Sequence, residues 1–424
     1  MKKNVAFTIC ATNYVGLGKV LEKSIYEHYS DLDFYIIVAD EPKDEVRKEF
    51  DDNVLIGKEI LDYPEQKWYE MAFKYNLTEF CTAIKPASIL YFLGKGYEKC
   101  IYFDPDIYVY SSLDVIYKKL DEYDAVLTPH KIIPEIDSTS KKDDQELLFA
   151  GVYNLGFLGI KVCDLSLLVM VWWKKRLEDK CFMSQGENLF TDQKWMDLLP
   201  AFYGNRVWIS QHLGLNAAPW NFHERFFFEE NWKLKVKSRI NSDDKIFDLV
   251  FVHYSGYNYK ELLKGNVIQN NMKELKLYED TVMLMNRYGE AFRDGQLEKF
   301  IDNVYTYNYF EDGKPISTMM RGLYRSYQEN TGYSENPFKI GSYIWQQAIS
   351  KKLILVEKPQ TFKTGEQKNL KRVNIINKAF NALYKLLGPN KYYTLLLAMR
   401  RYSIWGNHSF LISKKEDNYI FRNM

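Results

Sequence analysis

The sequence predicts an α/β fold with a mainly parallel sheet, followed by a mainly helical C-terminal region. At the N-terminus an apolar strand (residues 5–9), a polar loop, an amphipathic helix (17–29) and a second apolar strand (34–39) follow in turn. This order is typical of a βαβ unit, whose two strands are parallel. In such sheets ligands bind beyond the carboxyl ends of the strands, so the polar residues that follow each strand are the candidates for function.

Two later regions extend the prediction. Residues 59–97 show helical spacing and lead into residues 101–110, an aromatic and apolar run that is typical of a buried strand. From residue 273 onward the pattern is largely helical. We therefore predict an α/β domain over residues 1–265 and a mainly helical region over residues 266–424.

Composition excludes several classes of protein. The net charge of +1 gives no sign of a nucleic-acid partner. The charge is uneven, because residues 351–424 carry fifteen Lys and Arg against four Asp and Glu. The five cysteines form no CxxC pair, which favours reduced thiols in a cytoplasmic protein over a disulfide frame or a zinc site. No apolar stretch has the length of a membrane-spanning helix.

The central motif is Asp104-Pro105-Asp106, at the end of the strand that begins near residue 101. In extended chain, residues two apart point to the same side, and Pro105 favours extended backbone at Asp104. Two carboxylates aimed at one point repel unless a cation lies between them. The motif therefore predicts a site for Mn²⁺ or Mg²⁺, and the alternative is an acidic surface turn.

Polar residues after the first two strands are expected at the same edge of the sheet. Thr12, Asn13 and Tyr14 follow the first strand, and Asp40 follows the second, where an acid that binds a ribose or a base is expected. Lys85 precedes the Asp-Pro-Asp strand and is a candidate partner for a diphosphate, although a lysine is more often a solvated surface group.

The second half of the domain supplies further candidates. A strand over residues 150–160 is broken by three glycines, which mark a bulge or a close approach to ligand, and it contains Asn154. The charged segment 134–146 is expected to be a loop over the site. Asp192 suits a helix N-cap, or the rim of an active site beside Gln193. His253 ends an apolar strand and precedes Gly256, and a histidine placed so is more often structural than a ligand.

A polar and aromatic group of residues is a candidate for saccharide binding, although a tryptophan is more often part of a core. These residues are His130, Trp220, Asn221 and His223.

The C-terminal region contains an amphipathic helix over residues 373–387, which Gly388 and Pro389 end. The segment after it, 392–405, is aromatic, apolar and basic. Three interpretations remain open: packing on the acidic body, an interfacial helix on anionic lipid, or a dimer contact.

Taken together, these motifs resemble the family 8-like retaining glycosyltransferases of the GT-A fold, over about residues 4–260. The order is the same: a first strand, Asp-Xaa-Asp, an Asn-Xaa-Gly strand, Asp-Gln and His-Xaa-Ser-Gly. The Thr-Pro-His and Trp-Asn-Xaa-His-Glu-Arg segments are similar to a bacterial surface-polysaccharide branch. The resemblance implies a Rossmann-like GT-A domain that uses a UDP-sugar.

The resemblance also implies site roles, residue by residue. Mn²⁺, which holds the donor diphosphate, would be bound by Asp104, Asp106 and His253. The donor phosphate or sugar would be contacted by Lys85 and the backbone of Gly256. The donor sugar would be lined by Asn154, Asp192 and Gln193, and the base and ribose would be contacted by Asn13 and Asp40. After Gly256 the family often has Lys-Pro-Trp, whereas this chain has Tyr257-Asn-Tyr-Lys260, so Lys260 is the candidate substitute for the phosphate contact.

These roles predict a metal-dependent, retaining hexosyltransferase. A divalent cation and a lysine neutralise the charge on a departing nucleoside diphosphate, and front-face attack then retains configuration. A double displacement needs a carboxylate beside the anomeric carbon, and Asp192 is the candidate. The expected acceptor is a cell-surface glycan, a lipid-linked glycan or a glycoprotein, met in the cytoplasm or at the inner face of the cell membrane. The candidates for binding this acceptor are His130, Trp220, Asn221 and His223.

Two alternatives come from other classes of protein. A nucleotidyltransferase acting on sugar phosphates also uses carboxylate-bound metal, but the chain lacks a basic, glycine-rich triphosphate loop near its first strand. A catalytically inactive sugar-binding or scaffold protein of the same fold would retain the same motifs. A donor screen discriminates among the three.

Overall fold

The computed structural model describes residues 3–136, 143–240, 245–272, 277–293, 297–354 and 367–414. The chain divides into two compact units, the first comprising Met1–Glu65 with Leu77–Thr306 and the second Gln66–Asn76 with Tyr307–Met424. The α/β class and the helical C-terminal region that the sequence predicts are both confirmed. The domain boundary near residue 265 stays a prediction.

The first unit contains all the strands among the described residues. They are β1 Asn4–Cys10, β2 Asp33–Val38, β3 Val54–Ile56, β4 Lys99–Phe103, β5 Ile107–Val109, β6 Ala125–Leu127, β7 Phe157–Lys161, β8 Met183–Ser184, β9 Leu189–Phe190, β10 Val207–Ile209, β11 Arg225–Glu230, β12 Lys233–Ser238, β13 Phe247–Asp248 and β14 Phe251–His253.

Helices connect these strands. They are α1 Val15–Tyr26, α2 Asp44–Arg47, α3 Gly57–Ile60, α5 Leu77–Ala83, α6 Lys85–Gly94, α7 Asp114–Glu122, α8 Asp144–Ala150, α9 Asp164–Leu177, α10 Leu199–Tyr203, α11 Tyr259–Leu263, α12 Val282–Arg293 and α13 Leu297–Phe300. The helix α4, Glu65–Lys74, belongs to the second unit from Gln66 onward.

Seven strands form the central sheet, in the order β10-β6-β7-β4-β1-β2-β3. The pairs among β1, β2, β3 and β4 and the pair β6–β10 are parallel, whereas β7 runs antiparallel to both β4 and β6. The strand order reverses beside β1, and the crevice there is where α/β sheets bind ligands. The strands β1, β2 and β4 have buried apolar and aromatic side chains, among them Val, Ile and Phe, on both faces of the sheet. This burial explains why their sequences are continuous apolar runs.

Two further elements position the site. The short β5 leaves the central sheet and pairs antiparallel with β14, with Ile107 opposite His253. A separate three-stranded sheet is formed by β11, β12 and β13. The predicted glycine-broken strand begins only at Phe157, because Asp144–Ala150 is helical and residues 151–156 form a connecting segment.

The second unit is helical, with α4, α14 Thr318–Thr331, α15 Tyr343–Ser350 and α16 Gln367–Tyr402. The buried Arg321 donates to the carbonyls of Ala72, Phe73 and Tyr75, which the end of α4 leaves without helical partners. Its other terminal nitrogen donates to Tyr307. One guanidinium therefore satisfies four carbonyls in the interior of this unit.

All five cysteines are free thiols, and burial raises the pKa of Cys10, Cys81, Cys100 and Cys181. No helix among the described residues has the length and apolar character needed to cross a bilayer.

Candidate active site

The Asp-Pro-Asp motif lies in the connection between β4 and β5, and β14 brings a histidine to it. The Nε2 atom of His253 is 3.1 Å from Oδ1 of Asp106 and 3.6 Å from Oδ2 of Asp104. One ligand atom from each of the three residues lies within 4.8 Å of the others. Of the described residues, this is the one His, Cys, Asp and Glu group with metal-ligand spacing. Residues 147 positions apart in sequence thus form one donor set.

Two tyrosines hold the carboxylates. The Tyr102 hydroxyl donates to Oδ1 of Asp104 at 2.5 Å, and the Tyr259 hydroxyl lies 3.3 Å from Oδ2 of Asp106 and 3.0 Å from the carbonyl of Tyr254. Burial raises the pKa of Asp104 despite the nearby Lys85. Burial also acts to raise the pKa of Asp106, but the charge and hydrogen bond of His253 outweigh it and leave that pKa below its ordinary value. Each carboxylate keeps an oxygen directed towards His253.

Gly156 allows the close approach of the three ligands. The backbone N–H of Asp104 donates to the Gly156 carbonyl at 2.7 Å, which fixes the two segments side by side. A Cβ atom at position 156 would lie 2.4 Å from Cε1 of His253 and 2.8 Å from Oδ2 of Asp104. Any residue other than glycine would therefore displace the donor set.

A hydrogen-bonded chain reaches His253 from the opposite side. The Nδ1 atom of His253 is 3.0 Å from Oδ1 of Asn154, whose Nδ2 is 3.5 Å from Nε2 of His130. The Nδ1 atom of His130 in turn lies 3.1 Å from the carbonyl of Val152. The buried ring of Trp220 packs edge-on against both imidazoles, with centroids 5.4 Å and 5.2 Å away. This packing restricts both rings to one orientation.

Lys85 and Asp192 form a buried ion pair next to the donor set. The Lys85 ammonium lies 2.5 Å from Oδ2 of Asp192 and 2.8 Å from the Leu155 carbonyl, and 4.1 Å from the centre of the Tyr102 ring. The two side chains are 1% and 3% exposed. Asp192 precedes a 3₁₀ helix but caps none of its N–H groups, because its carboxylate is engaged by Lys85. The pair therefore joins α6 to the segment after β9.

Breaking this pair is expected to destabilise the protein strongly. Lys85→Met leaves the Asp192 carboxylate buried without its cation, which costs about 3–5 kcal/mol in the free energy of unfolding. The double variant Lys85→Met with Asp192→Leu removes both charges and should lose much less. Urea unfolding of the two variants measures the difference. Equal losses in the single and the double variant would show that the ion pair does not determine stability here.

A pocket of about 210 Å³ opens on these groups. The predicted site residues that line it are Lys85, Asp104, Asp106, His130, Asn154, Asp192, Gln193, Trp220 and His253. Side chains of α8, Glu146 and Leu147, complete one wall. The segment 134–146 is predicted from the sequence to be a loop over the site, but from Asp144 onward it is part of the helix α8. Residues 137–142 of this segment lie outside the described residues.

The residues predicted to contact the base and the ribose, after β1 and β2, are not part of this lining. The buried Asp40 accepts from the backbone and hydroxyl of Thr12 and from the backbone of Thr306, and burial raises its pKa. Asp40 therefore holds the loop after β1. Tyr14 packs edge-on against Tyr259. The pKa of Tyr14 is raised mainly by burial and, to a smaller extent, by the negative charge of Asp106.

Three other predicted residues, Asn13, Gly256 and Lys260, also lie outside that lining. Asn13 is half-buried on the same loop, with Oδ1 buried and without a partner among the described residues. Gly256 makes the left-handed turn after β14, at φ 87°, against Asn271. Lys260 is exposed and pairs with Asp302 at 2.6 Å. Their phosphate and base contacts stay predictions.

Two of the predicted acceptor residues serve the fold. The Asn221 amide donates to the carbonyls of His130 and Asn216 and accepts from the backbone of Ala218. His223 is buried against the carbonyl of Ile133. Neither side chain lines the pocket, whereas His130 and Trp220 do.

Sequence reasoning did not assign roles to Tyr102 and Tyr259. Tyr102 was detectable, because it precedes Asp104 by two residues on a strand and so shares its face. Tyr259 was not detectable, because the turn at Gly256 sets where it points. The role of Gly156 as the close-packed floor depends on a contact between distant segments, so spacing alone could not reveal it.

Comparisons with known proteins find solved structures that are similar only at low identity. No family model and no curated relative matches the chain. Among solved structures, a complex of the galactosyltransferase LgtC with donor and acceptor sugar analogs is 15% identical and covers 69% of this chain and 96% of its own, with a TM-score of 0.38. The case for function therefore rests on the site geometry.

Two other solved structures are similar to the same degree. The bifunctional glycosyltransferase WbbM is 13% identical over 71% of this chain and 51% of its own, with a TM-score of 0.39. The glycosyltransferase GlyE of Streptococcus pneumoniae TIGR4 is 14% identical over 73% of this chain and 67% of its own, with a TM-score of 0.35.

Proposed function

We propose that the protein is a metal-dependent, retaining glycosyltransferase of the GT-A type that transfers a hexose from a UDP-sugar. The observation that carries the proposal is the donor set of Asp104, Asp106 and His253 at the ligand-binding edge of the sheet. Beside it, the buried Lys85–Asp192 pair supplies both a cation and a carboxylate. Transfer of a sugar from a nucleoside diphosphate needs a fixed positive charge near the leaving diphosphate and a shaped pocket for the sugar.

The donor set fits a divalent cation. Two carboxylate oxygens and one imidazole nitrogen converge within 4.8 Å, and the imidazole favours Mn²⁺ over Mg²⁺, which prefers oxygen ligands. Bound there, the cation would neutralise charge on the diphosphate. Tyr102 and Tyr259 orient the carboxylates by occupying the oxygen lone pairs that do not face the cation.

The remaining pocket residues would receive the sugar. Lys85 holds its ammonium beside Asp104 and would add a second positive charge near the leaving phosphate. Gln193 donates to the Ala150 carbonyl and accepts from Leu155, so its amide is rigid. Asp192, which Lys85 holds in an ion pair, is the candidate nucleophile for a double displacement, whereas front-face attack would need no carboxylate of the protein.

The acceptor is proposed to be a cell-surface glycan, a lipid-linked glycan or a glycoprotein, met at the inner face of the cell membrane. The motivation is α16, whose 36 residues include eight Lys and Arg and no Asp or Glu. Its exposed apolar side chains include Ile375, Leu386 and Tyr393. Gly388, at φ 71°, divides α16 into two helical segments, and the basic and apolar groups exposed on them suit anionic lipid. Deletion from residue 371 onward should abolish co-sedimentation with anionic vesicles; unchanged co-sedimentation would contradict the membrane proposal.

A donor screen tests the reaction. Purified protein with Mn²⁺ is incubated with a panel of nucleotide sugars, and released nucleoside diphosphate is measured. We expect slow hydrolysis of one UDP-sugar that stops when a chelator is added. Release of pyrophosphate from a nucleoside triphosphate and a sugar phosphate would instead identify a nucleotidyltransferase and contradict the proposal.

A further inference from the structure

We infer that Asn154 is a positioning residue that fixes the tautomer of His253, so that the Nε2 lone pair faces the cation site. The inference rests on the proposed metal dependence and deepens it. It assigns to Asn154 an action through His253, distinct from the donor-sugar contact that the family resemblance implies.

The direction of the hydrogen bonds follows from one backbone carbonyl. The Val152 carbonyl can only accept, so the Nδ1 atom of His130, 3.1 Å away, carries the proton. Nε2 of neutral His130 is then an acceptor and faces the NH₂ group of Asn154 at 3.5 Å. The oxygen of the Asn154 amide must therefore face His253.

The amide oxygen in turn fixes His253. It can only accept, so Nδ1 of His253, 3.0 Å away, carries a proton, and Nε2 is the nitrogen left to bind a cation. Nε2 lies 3.1 Å from Asp106 and 3.6 Å from Asp104, where its lone pair can bind a cation together with the carboxylates. An outer partner that fixes a metal-bound imidazole typically changes metal affinity by 10–100-fold.

Calorimetric titration with Mn²⁺ tests this inference without measuring catalysis. Asn154→Ala should weaken binding by about 10–100-fold. Asn154→Asp keeps an acceptor at the same place. This variant should therefore bind Mn²⁺ about 10-fold more tightly than Asn154→Ala does. Equal affinity of the wild type and Asn154→Ala would overturn the inference, as would equal losses in the two variants. Failure of the wild type to bind Mn²⁺ would instead contradict the proposed function.

A different surface carries a second, independent inference. We propose that a groove of about 710 Å³ beside the β11–β12 hairpin binds a neutral oligosaccharide. Its lining shares no residue with the pocket at the donor set. A volume of this size is typical of a ligand site.

The tip of the hairpin is the main evidence. Glu230 pairs with Lys233, so Asn231 and Trp232 form a two-residue turn, with φ values of 50° and 64°. Such turns favour Asn followed by Gly, and a bulky side chain in this backbone region is strained. The Trp232 side chain is nevertheless 91% exposed at the groove. Trp232 thus combines a strained backbone with an exposed indole ring. Both are costly to the free protein, so we infer that a ligand covers the ring.

The walls indicate the chemistry of the ligand. The rings of Tyr108 and Tyr110 lie in the lining, 4.8 Å apart. Three basic and three acidic side chains line the groove, so its formal charge is balanced, which disfavours an anionic ligand. These groups are Lys23, Lys233, Arg287, Glu27, Asp248 and Glu290. Aromatic faces among polar side chains suit the apolar faces and hydroxyls of a neutral saccharide.

Trp232→Gly provides a test in which misfolding is not expected, because glycine suits the left-handed backbone better than tryptophan does. Titration with a panel of neutral hexose tetrasaccharides should show binding to the wild type and a loss of about tenfold or more in the variant, at an unchanged or raised Tm. Absence of binding to every tetrasaccharide, or equal binding by both proteins, would overturn the proposal. A dimer in the wild type that is lost in the variant, without saccharide binding, would assign the groove to a second copy of the chain.

Discussion

Replacing Asp106 by asparagine is expected to lower metal-dependent release of UDP by about 1000-fold. The substitution keeps the shape of the side chain but removes the charge that, with Asp104 and His253, would hold the cation. Stabilisation of the departing diphosphate by a cation is worth several kcal/mol, and about 4 kcal/mol corresponds to about 1000-fold in rate.

The matched control for this change is Asp62→Asn, because Asp62 is fully exposed and lies 3.9 Å from Lys174 on the surface. Surface pairs of this kind contribute little, so that variant should release UDP at the wild-type rate. Mn²⁺ titrations of the same two proteins should show lost and unchanged affinity, respectively. Wild-type rates in Asp106→Asn would remove the donor set from the reaction.

Replacing Gly156 by alanine is expected to abolish Mn²⁺ binding although no ligand is changed. The added Cβ would lie 2.4 Å from Cε1 and 2.6 Å from Nδ1 of His253, and 2.8 Å from the Asp104 carboxylate. The histidine must therefore move, which would separate Nε2 from the two carboxylates. Overpacking of a buried site of this kind costs about 1–3 kcal/mol in the free energy of unfolding.

Gly94→Ala is the matched control for that variant. A Cβ at position 94, the last residue of α6, meets nothing within 4 Å, so the change should be neutral or slightly stabilising. Urea unfolding and Mn²⁺ titration measure both effects. Retention of wild-type Mn²⁺ affinity in Gly156→Ala would show that the donor set does not have the geometry described.

The parts of the site that sequence predicts best are those within one strand and its neighbours. Asp104 and Asp106 converge because residues two apart share a face of extended chain, and β1 and β2 follow from buried apolar runs. His253 joins them only because β14 pairs with β5, which places it opposite Ile107, 146 positions earlier in the chain. Its place could be anticipated from family resemblance but not from local pattern.

The parts that sequence predicts least are those in which tertiary contacts choose between roles. Asp192 has the spacing of an N-cap, but the buried ammonium of Lys85 is the stronger partner for its carboxylate. Asp40 follows its strand as a ribose-binding acid would, yet Thr12 and Thr306 occupy its oxygens. These competing partners are far away in sequence, so a local pattern does not reveal them.

The most direct measurement of the central claim is calorimetric titration of UDP into the wild-type protein, with Mn²⁺ and with a chelator. It requires neither the correct sugar nor an acceptor, and it depends on the donor set of Asp104, Asp106 and His253. The proposed function predicts UDP binding with Mn²⁺ that disappears when the cation is chelated. Absence of binding in both conditions, or binding that is indifferent to Mn²⁺, would contradict a metal-dependent glycosyltransferase.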